Sequence, residues 1–242
     1  MADLHLGSDD PDDERAFLRA MFAACARAKV DHVVVAGDLT EYGGASSIHR
    51  FEAAADDAGF GPDRRTVVKG NHDLRARRLE TEVFSAPAST RMLGPVRLTA
   101  LDSTRRGGPT SALYAHAMGR VGPSQLERLR DVLSTKHGRH GEVIALHHHV
   151  NKTGAGTVVE LVGRLLRMWG ELEDRDALLD ACVQGDVTVA LTGHDHTPHV
   201  FRVKRRGHEI RCFIAGATRD LERFRVLDFA DGALQGWKWQ RL

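Results

Sequence analysis

The sequence predicts an α/β fold class, with an α+β-like region at the carboxyl end. The first two-thirds alternate short apolar, β-branched runs with segments of helical periodicity. Each apolar run ends at a glycine or a polar residue, as a buried strand does when a loop follows it. From His199 onward, alternating segments separated by turns indicate antiparallel strands. No repeat or long linker interrupts the chain, so we expect one domain over residues 1–242.

Three segments have clear helix signals. Asp10 suits the N-cap of a first helix, Pro11 suits its first position, and acidic residues crowd its first turn. Residues 45–58 and the segment GPSQLERLRDVL (122–133) also have helical periodicity. Apolar residues recur at helical spacing from Val158 to Leu172, where core packing, a substrate cap and a dimer contact are the alternatives.

The strands follow in order along the chain. Apolar runs predict buried strands in VDHVVVAG (30–37), RRTVVKG (64–70), VRLTALD (96–102), GEVIALHHH (141–149) and DVTVALTGHDH (186–196). An antiparallel meander is predicted in HVFRVKRR (199–206), HEIRCFIAG (208–216), RFRVLDFA (223–230) and ALQGWKWQRL (233–242).

The composition excludes several classes of protein. The formal net charge of +1 argues against a nucleic-acid partner, and no apolar run is long enough for a membrane helix. The acidic amino-terminal region does not resemble a signal peptide. The three cysteines have no C-x-x-C spacing, which indicates buried, reduced thiols in a cytoplasmic protein.

Polar residues that can bind metal ions follow the apolar strands. They are Asp3 and His5 near the start, Asp38, Asn71 with His72, His147–His149, and His194 with His196. In an α/β sheet, loops at the carboxyl ends of strands converge on one site. Carboxylate, imidazole and amide donors without a thiolate suit Mn, Fe or Zn at a hydrolytic centre. These side chains provide more ligands than one ion needs, so a site for two ions is expected. Two ions form the clamp that hydrolases use on phosphate esters.

In this order, D-x-H, G-D, G-N-H-D, H and G-H-x-H, the motifs resemble those of the calcineurin-like metallophosphoesterases. The resemblance extends from Asp3 to His196. It implies a four-layer αββα sandwich, in which two mixed β-sheets are flanked by helices. The segments GDLTEYG, LHHH and GHDHT are most similar to those of single-domain bacterial cyclic-nucleotide and glycerophosphodiester phosphodiesterases.

The resemblance also implies a role for each site residue. The first metal would be held by Asp3, His5 and His196, and the second by Asn71, His147 and His194. Asp38 would bridge the two ions. His72 would lie beside the metals and reach the phosphate, with Glu41 orienting its ring.

The implied activity is hydrolysis of phosphodiesters, by in-line attack of a hydroxide that bridges two divalent or trivalent ions (Mn, Fe or Zn). His72 would protonate the leaving alcohol. A phosphomonoesterase, a nuclease of the same family and a non-catalytic metal-binding scaffold are the alternatives. The expected partner is a small phosphoester, with no membrane partner, and a homodimer stays open.

Two stretches depart from the family pattern. The first motif normally follows a buried central strand, which is missing here because only Met1 and Ala2 precede Asp3. The natural start lies upstream, the strand is lost, or another segment takes its position. We expect Asp3 and His5 to lie on a fraying terminus and to bind metal weakly.

The run His147–His149 is the second departure. Neighbouring residues on a strand point to opposite faces, so all three histidines cannot bind one site. The family pattern assigns the ligand to His147. It leaves His148 and His149 to contact substrate or to pack around the site.

Overall fold

The structure is a computed structural model that describes residues 1–7, 10–75, 82–104, 118–135, 141–150 and 172–242. Its helices are α1 Pro11–Arg27, α2 Ala45–Asp57, α3 Pro123–Ser134, α4 Arg175–Gln184 and the single turn α5 Thr218–Leu221. Its strands are β1 Val33–Ala36, β2 Arg65–Val68, β3 Ser89–Leu93, β4 Val96–Ala100, β5 Gly141–Ala145, β6 Val187–Thr192, β7 His199–Arg205, β8 His208–Ile214, β9 Arg223–Ala230 and β10 Ala233–Arg241. The apolar helical pattern that begins at Val158 lies, up to residue 171, outside the described residues.

Six strands form one mixed sheet in the order β3-β4-β5-β6-β8-β7. Strands β4, β5, β6 and β8 are parallel, and β3 and β7 pair antiparallel at the two edges. The predicted α/β class with a mixed sheet is confirmed. Among the described residues, the expected second mixed sheet is present as two separate pairs, parallel β1-β2 and antiparallel β9-β10.

Apolar clusters define four layers. Phe22 of α1 and Phe51 of α2 pack in a cluster that includes Val35 of β1. A second cluster joins helices α3 and α4 to one face of the six-stranded sheet. The other face packs against the two strand pairs, and Leu98 and Leu227 belong to this third cluster. The helices are therefore outside and the strands inside, as the resemblance implies.

The amino-terminal end of α1 follows the sequence prediction. The Asp10 side chain accepts a hydrogen bond of 2.8 Å from the backbone N–H of Asp12, and Pro11 is the first helical residue. Both features satisfy or remove backbone donors that the first helical turn leaves unpaired.

The first residues of the chain are packed into the fold rather than frayed. The Met1 amine donates to the Val34 carbonyl oxygen at 3.0 Å, and the Ala36 N–H donates to the Met1 oxygen at 2.9 Å. On the opposite side, the Ala2 N–H donates to the Thr218 hydroxyl at 3.1 Å. Asp3 is only 1% exposed, so the expectation of a fraying terminus is wrong. Backbone pairing on both sides holds this segment in position.

All three cysteines, Cys25, Cys182 and Cys212, are buried and unpaired, as the sequence predicts. Burial raises the pKa of the Cys25 thiol to about 11 and that of the Cys212 thiol to about 12. Within the part of the chain that the structure describes, no helix is both long and apolar enough to cross a membrane.

Candidate metal centre

The candidate ligands meet where parallel strands end. Asp38 follows β1, Asn71 follows β2, His147 follows β5 and His194 follows β6. The first residues of the chain bring Asp3 to the same edge, where its carboxylate accepts from the His194 N–H at 3.1 Å. The structure thus brings together residues that are 191 positions apart in sequence.

The backbone is strained at four of these positions. Asp3, His5, Asp38 and His194 have φ values of 52°, 46°, 49° and 69°. Such left-handed conformations are uncommon for residues other than glycine, and they are concentrated at functional sites. The fold therefore turns these side chains inward at an energetic cost that the surrounding structure offsets.

Two glycines allow the loops to approach one another closely. A Cβ atom on Gly70 would overlap the carboxylate of Asp38, and a Cβ atom on Gly37 would overlap the imidazole of His147. Each glycine directly precedes a candidate ligand in the sequence, Asn71 and Asp38 respectively. Both positions are restricted to glycine because a neighbouring side chain fills the space that a Cβ would need.

The first group of donors is Asp3, His5 and His196. Nε2 of His5 lies 3.1 Å from Nε2 of His196, which is 4.0 Å from the Asp3 carboxylate. Nδ1 of His5 donates to Glu41 at 2.6 Å. Because this contact fixes the tautomer, the lone pair on Nε2 of His5 faces the group and can bind a metal ion.

The second group is Asn71, His147 and His194. Nε2 of His147 lies 3.0 Å from the Asn71 amide oxygen and 3.1 Å from Nδ1 of His194. Nδ1 of His147 donates to the Ala36 carbonyl oxygen at 3.0 Å, so Nε2 is the nitrogen that faces the group and would bind an ion after losing its proton. Three donor atoms therefore point at one position.

Asp38 lies between the two groups. Its Oδ2 is 3.3 Å from Nε2 of His147 and 3.9 Å from Nε2 of His5. Its Oδ1 accepts from the His72 N–H at 2.8 Å, which fixes the carboxylate. A carboxylate in this position would be shared by an ion in each group.

Burial and the close charges shift the protonation of the site. Burial raises the pKa of Asp3 to about 7. Burial also opposes ionisation of Asp38, but the charge and hydrogen bond of His147 hold the Asp38 pKa well below its usual range. Burial alone would lower the pKa of His147, but the charge and hydrogen bond of Asp38 outweigh burial and raise this pKa to about 9. Burial, with the His147 charge, lowers the pKa of His194 to about 3.

The donor set fits two divalent ions. It combines two buried carboxylates, one amide oxygen and four imidazoles, with no thiolate among these seven residues. This is the chemistry that Mn, Fe and Zn accept at hydrolytic centres. Glu41 and the Ala36 carbonyl oxygen fix the tautomers of His5 and His147, as residues behind metal ligands commonly do.

A second cluster lies at the mouth of the site. Oε2 of Glu41 is 3.0 Å from Nδ1 of His72, the position that the resemblance implies for an orienting carboxylate. The same oxygen contacts His5, so Glu41 connects His72 to the first group of donors. Arg75 pairs with Glu41 and lies 3.2 Å from Nε2 of His72.

Asp73 is the site residue that sequence reasoning missed. It is 0% exposed and accepts from the backbone N–H groups of Thr40 and Gly70, both at 2.8 Å. Burial, aided by the Asp38 charge, raises the pKa of Asp73 to about 7. Asp73 joins the loop after β1 to the loop after β2. The fourth residue of GNHD was the available signal, but an aspartate in a turn is common on solvent-facing loops.

His148 packs in the wall of the site. Its Nδ1 is 2.9 Å from the Ser103 hydroxyl, and its ring lies 4.8 Å from that of His194. His149 is buried as well. Both His147 and His148 follow the last residue of β5, and both rings lie beside that of His194, so the alternation expected of strand residues does not apply to them.

Comparison with known families decides where this arrangement belongs. The model of the family described as calcineurin-like phosphoesterase matches residues 1–198. The chain belongs to that family. The comparison with curated proteins finds no match.

Solved structures with the same fold agree with this placement. A dimetal phosphatase from Danio rerio matches with a TM-score of 0.66 and 13% identity, over 100% of this chain and 94% of the other. The purple acid phosphatase PPD1 of yellow lupin matches with a TM-score of 0.59 and 14% identity, over 100% of this chain and 46% of the other. GAP50, the anchor in the inner membrane complex of Plasmodium, matches with a TM-score of 0.50 and 11% identity, over 90% of this chain and 70% of the other. At these identities the likeness shows the fold alone.

Proposed function

We propose that this member of the family hydrolyses phosphodiesters at a centre of two divalent ions. The observation that carries the proposal is the pair of donor groups on either side of Asp38, whose carboxylate lies 3.3 Å from His147 and 3.9 Å from His5. The proposed ligands are Asp3, His5, Asp38, Asn71, His147, His194 and His196. Two ions there would polarise the phosphate and lower the pKa of a water molecule to near 7.

The chain itself positions these donors before any ion arrives. Asp38 is fixed by the His72 N–H, and His147 is fixed by the Ala36 carbonyl oxygen. Preorganised donors need little rearrangement during the reaction, which is the main source of electrostatic catalysis. The buried second group also excludes water from the back of the site, since His147 is completely buried.

His72 is the proposed proton donor to the leaving alcohol. Its Nδ1 contacts Glu41, which stabilises the protonated ring, while its Nε2 accepts a hydrogen bond from Arg75 at 3.2 Å at the mouth of the site. For Nε2 to carry a proton to an incoming ester, the Arg75 guanidinium would have to turn away from the ring. Burial lowers the pKa of His72, which favours release of that proton.

The preference for diesters rests on the resemblance of GDLTEYG, LHHH and GHDHT to phosphodiesterases. The charge at the mouth is consistent with it. Arg75, the cation that contacts His72, already pairs with Glu41 and so adds little net charge for the second negative charge of a monoester. The phosphatase neighbours favour a monoesterase, which is the alternative.

The test uses protein loaded with manganese and two aryl substrates with the same leaving group. We expect kcat/KM for bis(p-nitrophenyl) phosphate to exceed that for p-nitrophenyl phosphate at least about tenfold, a transition-state difference of about 1.4 kcal/mol. Chelation should abolish activity, and added manganese should restore it. Higher kcat/KM for the monoester would overturn the diester preference. Retained metal with no turnover of either ester would favour a binding scaffold instead.

A further inference from the structure

Two pairs of arginines lie directly opposite each other on neighbouring strands, away from the metal centre. Arg202 of β7 is the register partner of Arg211 of β8, and Arg223 of β9 is the register partner of Arg241 of β10. Like charges in such positions destabilise a sheet. Arg202 lies 3.4 Å from Glu209, but no carboxylate among the described residues pairs with the other three arginines. Both pairs therefore favour a bound anion.

Aromatic rings lie between the two arginine pairs. The Arg225 guanidinium is 5.3 Å from the ring centroid of Trp237 and 4.5 Å from that of Trp239. The Arg223 guanidinium is 4.4 Å from the Trp239 centroid, and the Phe213 ring is 6.1 Å from that of Trp237. A guanidinium over the face of an indole is a favourable contact. Cations and rings thus form one continuous surface across β8, β9 and β10.

The order of these side chains follows from the register of the strands. The first arginine pair lies two residues before Phe213 on β8, and Phe213 contacts Trp237. Ile214, the next residue of β8, accepts a hydrogen bond from Arg225, which is the register partner of Trp239. Strand β10 therefore runs in the same direction as β8 here. The second arginine pair includes the residue two positions after Trp239, so the two pairs lie at opposite ends of the tryptophans.

The surface is accessible and its positive charge is uncompensated. Trp237 is 40% exposed, and Arg241 is exposed as well. The Nε atoms of Arg223 and Arg225 are buried, and neither has a hydrogen-bond partner among the described residues. Burial, followed by the charge of Arg223, lowers the pKa of Arg225 to about 10. A bound anion would relieve the repulsion between these guanidinium groups.

We propose that this arginine–tryptophan surface binds single-stranded nucleic acid. It consists of Arg211, Arg223, Arg225, Trp237, Trp239 and Arg241. Phosphate groups would contact the arginines at the two ends, and a base between them would stack on the exposed Trp237 ring. The net charge of +1 belongs to the whole chain and does not record this local concentration, because acidic residues are concentrated elsewhere, as in the first turn of α1.

The arrangement favours a single strand over other anions. A single nucleotide carries phosphate on one side of its base only, whereas the arginine pairs lie on both sides of the tryptophans. A double helix keeps its bases stacked inside, where Trp237 cannot reach them. An acidic peptide could pair with the arginines but has no base to stack on an indole ring, and it is therefore the main rival.

The first experiment measures binding by fluorescence anisotropy with manganese-loaded protein and a labelled oligothymidylate of about twelve nucleotides. We expect the logarithm of the affinity to fall with the logarithm of salt concentration with a slope of about −2, as three phosphate contacts would give. Thymidine monophosphate and duplex DNA should compete poorly. Equal or stronger competition by polyglutamate, or stronger binding to phosphatidylserine vesicles, would overturn the proposal by indicating an acidic protein or a membrane instead.

The second experiment uses variants of the surface. Arg211→Gln combined with Arg241→Gln should weaken binding at least about tenfold and make the salt slope shallower by about 1.4, because it removes one arginine at each end. Trp237→Leu should weaken binding at least about fivefold through lost stacking. The matched control is Arg128→Gln, which removes an exposed arginine of α3. Binding as tight in the surface variants as in this control would overturn the proposal.

The third experiment separates this surface from the metal centre. The same binding is measured after chelation, and hydrolysis of bis(p-nitrophenyl) phosphate is measured in the double arginine variant. We expect unchanged oligonucleotide affinity without metal and unchanged hydrolysis in the variant, because none of the surface residues is a proposed ligand. Loss of binding on chelation would place the strand at the metal centre and overturn the proposal. Absence of hydrolysis in the unaltered protein would contradict the proposed function alone.

Discussion

The two donor groups of the candidate site differ sharply in their surroundings. The His147 side chain of the second group is 0% exposed, whereas the His196 side chain of the first is 53% exposed. His147 and Asn71 follow buried parallel strands, while His5 and His196 lie in loops at the rim. The sequence motifs of the two groups are equally recognisable, but in the fold the donors of the two groups differ in their exposure to solvent.

This difference in exposure predicts that the two groups bind metal with different affinity. A buried group keeps its geometry because its donors are packed and hydrogen-bonded, so it should retain metal. An ion held by the more exposed first group can exchange with solvent, and this group leaves room for substrate. We therefore expect the second group to bind its ion more tightly than the first, although both include Asp38 as a neighbour.

The largest expected effect comes from removing a ligand from the buried second group. His147→Ala should lower kcat/KM by at least about 10³-fold, because an ion lost from the clamp removes several kcal/mol of charge stabilisation. Metal content and steady-state rates measure this directly. His49→Ala is the matched control, since His49 is an exposed histidine on α2. Equal activity of the two variants would show that the buried group is not needed.

The next effect separates chemistry from metal binding. His72→Ala should keep both ions while lowering kcat by about 10²- to 10³-fold, because only the proton donor is removed. Elemental analysis of the variant beside its kcat provides the test. If the variant lost both metals, His72 would be a ligand and its assigned role would be wrong.

Among the proposed metal ligands, Glu41→Gln should affect only those of the first group. Glu41 orients both His5 and His72, at 2.6 Å and 3.0 Å, and removing such an orienting carboxylate typically weakens metal affinity about 10- to 100-fold. Manganese titration should show weaker binding at one site and unchanged binding at the other. Equal weakening of both sites would remove the distinction between the two groups.

The smallest effect concerns the stability of the fold around His32, which directly precedes β1, and does not involve the metal site. Burial, followed by the charges of Arg91 and Arg64, lowers the pKa of His32 to about 4. Between pH 6.5 and 4 the unfolded chain binds a proton that the folded chain does not, so stability should fall as the pH falls through this window. His32→Gln can keep a hydrogen bond to Thr66 and should lose fewer degrees of thermal midpoint over that range. An identical loss in both proteins would assign the effect to other groups.

The fold was largely predictable because its signals are local. The Asp10 cap, the apolar runs that end at glycine and the alternating carboxyl-terminal segments each determine one element. Strand β3 and helix α4 were not predicted. The burial pattern of β3 alternates only between intermediate and exposed, and α4 has no hydrogen-bonded side-chain cap. The separation of β1-β2 from β9-β10 depends on tertiary pairing that no local pattern records.

The site was predictable as a set of residues but not as a geometry. Motifs at strand ends correctly indicated which side chains converge, because parallel strands bring their carboxyl ends to one edge. The left-handed backbone at Asp38 and His194 could not be predicted, since neither residue type requires it. The bonds of Asp73 to two separate loops likewise depend on the close approach of those loops.

Manganese stoichiometry tests the central claim most directly. The protein and its His196→Ala variant would be loaded with manganese, desalted and analysed for metal per chain. We expect two ions in the protein and one in the variant, because the first group loses a ligand while the buried second group stays intact. Fewer than two ions in the protein, or two in the variant, would contradict the proposed pair of sites.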